Sequence, residues 1–184
     1  MNRTGTIDWS ETSARMRDDR QRISAAYEGA GYAMIRWFFP CLCAAFHRLS
    51  HHHHANGRVT IGRLFWQVNI FLTGANISPA SDIGGGLFIP NPSGVTLYAD
   101  AGRNLTVMAL AGAGLSGKDG VEGIGGGYAR LGDNVTLSYH SYVASSVRIG
   151  DNVHVSPGCM VDDDVEDGAV VVGPALRIRK TAGP

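Results

Sequence analysis

The chain has 184 residues, the length of one domain with a small appendage, and its 16 basic residues balance 16 acidic ones. The balance argues against a nucleic-acid-binding surface and against an acidic interaction tail. The three cysteines, Cys41, Cys43 and Cys159, form neither a disulfide framework nor a Cys-x-x-Cys motif. We therefore expect a reducing, cytoplasmic environment.

Residues 1–74 are predicted to form an N-terminal helical region. The stretch 15–27 is charged with spaced apolar residues, Pro40 begins or kinks a helix, and 61–72 is apolar on one side. The polar, charged first residues do not fit a secretory signal.

The most apolar stretch, residues 33–49, is interrupted by charged residues and a proline, so it is too broken for a membrane span. We interpret it as a buried helical face, with a peripheral membrane contact through Trp37, Phe38 and Phe39 as the alternative. The four histidines His51–His54 are interpreted as a solvated helix end or linker rather than a metal site.

Residues 75–172 carry a six-residue repeat, which fits neither the helical period of 3.6 nor the strand period of 2. It predicts a mainly β fold, a parallel β-helix in which each hexad forms one short strand and one corner. The first position points into the prism, and the position four residues later fits near the corner. The aliphatic first positions are Ile77, Ile83, Ile89, Val95, Ala101, Val107 and Ala113, then Leu131, Leu137, Val143, Ile149, Val155 and Val161. The small or aliphatic second positions are Ser81, Leu87, Ser93, Ala99, Leu105 and Ala111, then Val135, Ser141, Val147, Val153, Cys159 and Val165.

A glycine-dense interruption, residues 112–130, breaks the repeat. Continuing the period would place Asp119 and Gly125 inside the prism, so we predict one hexad followed by an excursion of about a dozen residues. Such loops on rigid scaffolds often carry binding or catalytic groups. The loop half-matches a phosphate-binding P-loop, but it lacks the Ser or Thr after Lys118 and the strand-to-helix setting.

Two segments of the chain, from FHRLSHHHH to IPNPSGV and the closing VVVGPALRI, resemble the serine acetyltransferase-like branch of the hexapeptide-repeat acyltransferases. FHRLSHHHHANGRVTIGRLFWQVNIFLTGANISPASDIGGGLFIPNPSGV is similar to the segment that joins the family's helical part to its first coil. VVVGPALRI is similar to the final coil, which usually ends Gly-x-Pro-Ala-Arg. The resemblance implies a left-handed coil, a homotrimer, and acetyl-CoA bound as co-substrate in a groove between adjacent coils, without a metal. In such enzymes a histidine activates an acceptor hydroxyl, which attacks the thioester.

The chain departs from this family at three functional positions. Asn76 stands where the family usually has an aspartate, Asn91 where it has the catalytic histidine, and Tyr128 where a looser alignment places a second histidine. The family's serine enzymes also have a longer helical domain and an isoleucine tail that docks into the sulfhydrylase. The short helical region and the Thr-Ala-Gly-Pro ending of this chain support neither a higher assembly nor docking into the sulfhydrylase. The shorter layout resembles branch members that acylate sugars or other small alcohols.

The candidate site residues follow from this alignment. We place Asn76, Asn91 and Tyr128 in the acceptor pocket, and His140 is the candidate for a relocated base, with a surface or interface histidine as the alternative. Tyr128 positions a substrate or donates a proton, since its ordinary pKa of about 10 makes it a poor base. His154 is interpreted as an outward corner residue, and Asp162–Asp164 as corner residues rather than a metal site.

The donor groove is expected to combine the loop with the C-terminal tail, residues 173–184. Lysine and arginine side chains suit the phosphates of CoA, although solvated surface charge is the alternative. The predicted donor-groove residues are Gly112, Gly114, Lys118, Arg177, Arg179 and Lys180.

Two functions remain open from the sequence. The first is an acyl-CoA-dependent O-acyltransferase that acts on serine, a sugar or another small alcohol, with the retained loop and closing motif in its favour. The second is a catalytically degenerate trimer that serves as a scaffold or regulatory subunit, favoured by the missing aspartate and histidine.

Overall fold

The computed structural model describes residues 6–27, 39–114 and 127–173, in which a helical region precedes a coil of short strands. Helix α1 spans Trp9–Ala26, α2 spans Phe39–Ala55 and α3 spans Val59–Thr73. Asp8 caps α1 by accepting a hydrogen bond from the amide of Glu11 at 2.7 Å. Gly74 ends α3 in the left-handed conformation, with φ of 77°. The predicted helical region is confirmed, and no helix within the described ranges is both long and apolar enough to cross a membrane.

Twelve short strands are found among the described residues, and they form three parallel sheets. Sheet A has the order β1-β2-β5-β8-β11, sheet B the order β3-β6-β9, and sheet C the order β12-β10-β7-β4. The chain visits the sheets in the order A, B, C, so each coil has an A–B, a B–C and a C–A corner. The strands are β1 Asn76–Ile77, β2 Thr96–Leu97, β3 Ala99–Ala101, β4 Thr106–Val107, β5 Gly112–Ala113, β6 Ala129–Leu131, β7 Thr136–Leu137, β8 Tyr142–Val143, β9 Arg148–Ile149, β10 His154–Val155, β11 Met160–Val161 and β12 Val170–Val171.

The spacing of paired strands confirms the predicted repeat and its interruption. A standard coil is three hexads long, as in the pairing of Tyr142 with Met160. Gly112 pairs with Tyr142, which lies five hexads further along the chain, so this coil is two hexads longer than the standard one. The excursion of about a dozen residues is therefore confirmed, and it leaves the coil at the A–B corner, between β5 and β6.

Most first positions of the hexads fill the prism as predicted. Leu137, Val143 and Val155 are completely buried, while Ala101 is only partly buried. Among the second positions, Leu105, Val135 and Ser141 are completely buried. The predicted second position of Val165 is wrong, because Val165 pairs with Ile149 of sheet B and so takes a first position, where it is only partly buried. Burying such aliphatic side chains stabilises the fold by roughly 1.5–3 kcal/mol each.

The predicted phase is wrong at the first C–A corner. Leu97, and not Val95, occupies the sheet A position, because it pairs with Ile77 on one side and Ala113 on the other. The corner before β2 accommodates two extra residues, so Val95 is buried next to the strand and Ser93 is exposed. The following coil is correspondingly short, since the step from Leu97 to Ala113 falls two residues short of three hexads.

An asparagine ladder closes the B–C corner of successive coils. Asn104, Asn134 and Asn152 adopt the left-handed conformation, with φ values of 60°, 57° and 56°. Asparagine tolerates this conformation better than most residues do. The amide of Asn104 donates to Asn134 and that of Asn134 donates to Asn152, both at 3.0 Å. The ladder thus fixes the stacking of three coils at this edge.

The helical region is attached to the first coil through a buried ion pair. Asp19 of α1 accepts from Arg48 of α2 at 2.8 and 2.9 Å, and it also accepts from the amides of Gly86 and Leu87 at 2.9 and 2.7 Å. Arg48 donates in addition to the carbonyls of Ile83 and Gly84. One carboxylate and one guanidinium therefore hold two helices against the backbone of the first B–C corner.

His51–His54 form the end of helix α2, as one of the two interpretations predicted, but they are buried or partly buried there rather than solvated. All four residues lie within α2, and His51 is hydrogen-bonded to the carbonyl of Pro79 at 3.0 Å. His52 is hydrogen-bonded to Thr12 at 3.0 Å, and the ring of His53 stacks on Phe65 with centroids 5.6 Å apart. Their neighbours come from α1, α3 and the first coil, so the histidines pack the helices together.

Candidate active site

The catalytic candidate Tyr128 is held at the A–B corner by two side chains. Its hydroxyl lies 2.6 Å from Oγ of Ser78, the residue that follows β1. Its ring packs against that of Tyr98 with centroids 6.2 Å apart and an angle of 58° between the ring planes. Ser78 is 5% exposed, so the contact is sheltered from solvent.

The two glycines predicted for the donor groove form the root of the excursion at this same corner. Gly112 lies in β5, and a Cβ atom there would meet the carbonyl oxygen of Thr96 at 2.6 Å. Gly114 has φ of 89°, and a Cβ atom there would overlap the carbonyl oxygen of Tyr98. Only glycine fits both the conformation and the space at position 114.

Hydrogen bonds fix both ends of the excursion to the next coil. Ser145 Oγ donates to the carbonyl of Gly114 at 2.7 Å, and the amide of Ser146 donates to the carbonyl of Gly127 at 3.2 Å. The amide of Ala129 donates to the carbonyl of Tyr98 at 3.3 Å. The segment that carries Tyr128 is therefore anchored on both sides.

Asn76 lies two residues before Ser78, and both side chains point to the outer side of sheet A because strand residues alternate. Its Oδ1 accepts a hydrogen bond from the indole of Trp66 at 2.9 Å. Asn76 therefore joins helix α3 to the strand that leads to Ser78. This contact brings the helical region to the edge of the candidate site.

Asn91 and His140 lie at the C–A corner, on the opposite edge of sheet A from Tyr128. Asn91 is exposed, and its Oδ1 accepts from the amide of Ser93 at 3.2 Å in an Asx turn. His140 is also exposed, has φ of 58°, and donates its backbone amide to Ala109 at 3.3 Å. The two corners are two coils apart, a backbone separation of about 10 Å.

Within one chain, the structure thus joins Tyr128 to Ser78 beside the two glycines at the root of the excursion, and it places Asn91 and His140 on the other edge, two coils apart. Asn76 lies between these edges. Lys118, Arg177, Arg179 and Lys180 fall outside the described residues, as do Trp37 and Phe38.

His154 faces outward as predicted, but the predicted corner is wrong, since the residue lies in β10. Most of the short strands, β10 among them, begin one residue before the buried first position, so the last residue of a hexad faces outward from a strand. The exposed ring is 3.2 Å from Oγ of Ser138, measured from Nε2.

Sequence reasoning missed Ser78, which is the middle residue of the Ile-Ser-Pro motif beside Asn76. The Ile-Ser-Pro motif was the feature of the sequence that could have identified it.

A separate cavity of about 180 Å³ lies between α1 and α2, lined by apolar residues together with Asp19 and Arg20, and it contains none of the candidate residues.

Comparison with known proteins gives one consistent family. No family model matches the chain. A serine acetyltransferase from Staphylococcus epidermidis is 30% identical over 139 residues, which cover 74% of this chain and 63% of the relative. A serine acetyltransferase from Helicobacter pylori is 30% identical over 133 residues, which cover 71% of this chain and 75% of the relative. The chain thus spans less than two thirds of the staphylococcal relative's length.

Solved structures agree with the sequence relatives. The crystal structure of Neisseria gonorrhoeae serine acetyltransferase superposes with a TM-score of 0.79 at 24% identity, covering 95% of this chain and 70% of that one. A serine acetyltransferase in complex with CoA superposes with a TM-score of 0.76 at 13% identity, covering 88% and 67%. These likenesses confirm the predicted left-handed parallel β-helix.

Proposed function

Because this chain belongs to the serine acetyltransferase family, we propose that it is an acyl-CoA-dependent O-acyltransferase. Acetyl-CoA is the proposed donor, and a hydroxyl of serine, a sugar or another small alcohol is the proposed acceptor. The observation that carries the proposal is the two-hexad excursion on a β-helix of this family, rooted at Gly114 beside Tyr128. The donor finds support in the CoA complex of a structural relative.

The proposed acceptor pocket contains Asn76, Asn91 and Tyr128. Asn91 and Tyr128 lie on opposite edges of sheet A in one chain, so we propose that a neighbouring copy in a homotrimer completes the pocket. His140 shares the C–A corner with Asn91 and is the proposed base. The donor groove would include Gly112 and Gly114, together with Lys118 and the basic residues of the tail, 177–180.

A degenerate, non-catalytic trimer is the second candidate. The hydrogen bonds that Asn76 and Asn91 make within the chain favour this candidate. The side chain of Asn76 accepts from Trp66, and that of Asn91 accepts from its own turn. Neither side chain is a base near neutral pH, because an amide does not take up a proton there.

The decisive experiment follows thiol release from acetyl-CoA with serine, amino sugars and nucleotide sugars as acceptors. We expect turnover with at least one acceptor and its loss in His140→Ala. Turnover that persists in His140→Ala would show that the base is elsewhere. Binding of CoA without turnover, followed by activity in Asn91→His, would establish the degenerate function.

A further inference from the structure

We propose that Ser78 is a positioning residue, which fixes the hydroxyl of Tyr128 where the acyl group or the acceptor is bound. The inference rests on the proposed function and names a further residue of the same site. Ser78 is separated from Tyr128 by 50 residues, and its hydroxyl is nevertheless 2.6 Å from that of Tyr128. The distance lies within the ordinary range of a hydrogen bond between two hydroxyl groups.

The hydroxyl of Ser78 is itself oriented by the backbone. Its Oγ accepts a hydrogen bond from the amide of Ala80 at 3.2 Å. One lone pair is occupied in this way, and the remaining lone pair and the proton are directed to other partners. The serine is thus held in one rotamer, with its free bonding direction toward Tyr128.

Tyr128 is constrained along its whole length. Tyr98 packs against the ring, Ser78 holds the hydroxyl, and the backbone of the next residue is hydrogen-bonded to Tyr98. Fixing a long side chain in this way costs rotamer entropy. A tyrosine that only covered the surface at the end of a loop would not need a buried partner for its hydroxyl.

The contact between Ser78 and Tyr128 lies beside other residues of the proposed site. Tyr128 follows the excursion directly, and Asn76 lies on the same outer face of β1, two residues before Ser78. A hydroxyl held by a second hydroxyl is suited to hydrogen-bond a thioester carbonyl or an acceptor oxygen, and a fixed position lowers the reorganisation that the reaction requires. Ser78 acts through Tyr128, because Ser78 is buried and its hydroxyl is hydrogen-bonded to that of the tyrosine.

The kinetic test compares Ser78→Ala, Ser78→Thr and Tyr128→Phe. We expect Ser78→Ala to lower kcat about tenfold with a change in KM below about twofold, the pattern of an interaction that matters in the transition state. Ser78→Thr keeps the hydroxyl and should restore most of the activity. The double variant Ser78→Ala/Tyr128→Phe should be no slower than Tyr128→Phe alone, since Ser78 has no separate role.

Ser81→Ala is the matched control. Ser81 is also a buried serine of the first coil, but its hydroxyl bonds only the backbone, at Leu97 and Ala99. We expect Ser81→Ala to leave kcat unchanged once folding is verified by thermal denaturation. Wild-type kcat in Ser78→Ala, or a second loss of activity when it is combined with Tyr128→Phe, would overturn the inference.

A second measurement separates this inference from the proposed function. In protein labelled with ¹³C at tyrosine Cζ, the resonance missing from Tyr128→Phe identifies Tyr128. Ser78→Ala should shift that resonance and its titration midpoint, and Ser81→Ala should not. If the resonance shifts but no acceptor is turned over, the proposed function fails, and only the hold of Ser78 on the Tyr128 hydroxyl is retained. If the resonance does not shift, the role of Ser78 fails whatever the activity.

Discussion

Removing the carboxylate of Asp19 is expected to destabilise the protein more than any surface change in the helical region. The side chains of Asp19 and Arg48 are 3% and 1% exposed, so Asp19→Ala leaves a buried guanidinium without its counter-ion. Breaking a buried pair in this way costs about 3–5 kcal/mol. The amides of Gly86 and Leu87 also lose their acceptor, at about 1–3 kcal/mol each if they stay unsatisfied.

These costs overlap, so we expect a loss of about 4 kcal/mol or more, measured as the free energy of unfolding in urea. Asp18→Ala is the matched control, because Asp18 pairs with Arg103 at 2.8 Å on the surface, with side chains 35% and 61% exposed. Such exposed pairs contribute about 0–1 kcal/mol. Equal losses in the two variants would refute the assignment of Asp19 and Arg48 as the attachment of helices to coil.

Three further predictions follow from single positions. Burial, with a smaller effect from the charge of Arg48, holds the pKa of His47 well below its ordinary value. The unfolded chain therefore binds more protons than the folded one below pH 6.5. The free energy of unfolding in urea should fall as the pH is lowered, by up to about 1.4 kcal/mol per pH unit. This slope should be smaller in His47→Leu. Gly114→Ala should lower the melting temperature and displace the loop root, because its Cβ would overlap the carbonyl of Tyr98; an unchanged melting temperature would contradict this. Asn134→Ala loses two ladder hydrogen bonds and is strained at φ of 57°, so it should cost about 2 kcal/mol in urea unfolding, with Asn134→Gly less affected.

The coil could be predicted from sequence because its cause is local and periodic. One aliphatic residue in six must fill the prism, and a dozen residues without that pattern must leave it. The phase error before β2 has the same origin, since Val95 and Leu97 are both apolar and the period alone does not choose between them. The choice depends on how many residues the corner at 90–94 accommodates.

The attachment of the helices to the coil could not be predicted from the sequence, because it depends on contacts between residues far apart in the chain. Asp19 stands in a run of charged residues, and nothing in the run distinguishes the one buried carboxylate from its partly exposed neighbour Asp18. Its partners lie 29 to 68 residues away along the chain. The histidines of α2 were misjudged likewise, because their burial depends on neighbours from other elements.

If Asn76, Asn91 and Tyr128 stand where the family has an aspartate and two histidines, as we propose, the three changes are chemically coupled. Asn76 accepts from Trp66, yet an aspartate would accept the same bond, so the fold does not require an amide there. A partly buried carboxylate without a cationic partner is costly, however. With asparagine at 91 and tyrosine at 128, neither position supplies an imidazolium to offset that charge, and a neutral side chain at 76 removes the cost. A neutral amide at 76 is therefore compatible with neutral side chains at 91 and 128, as in the proposed site, and the contact between Ser78 and Tyr128 likewise joins two neutral groups.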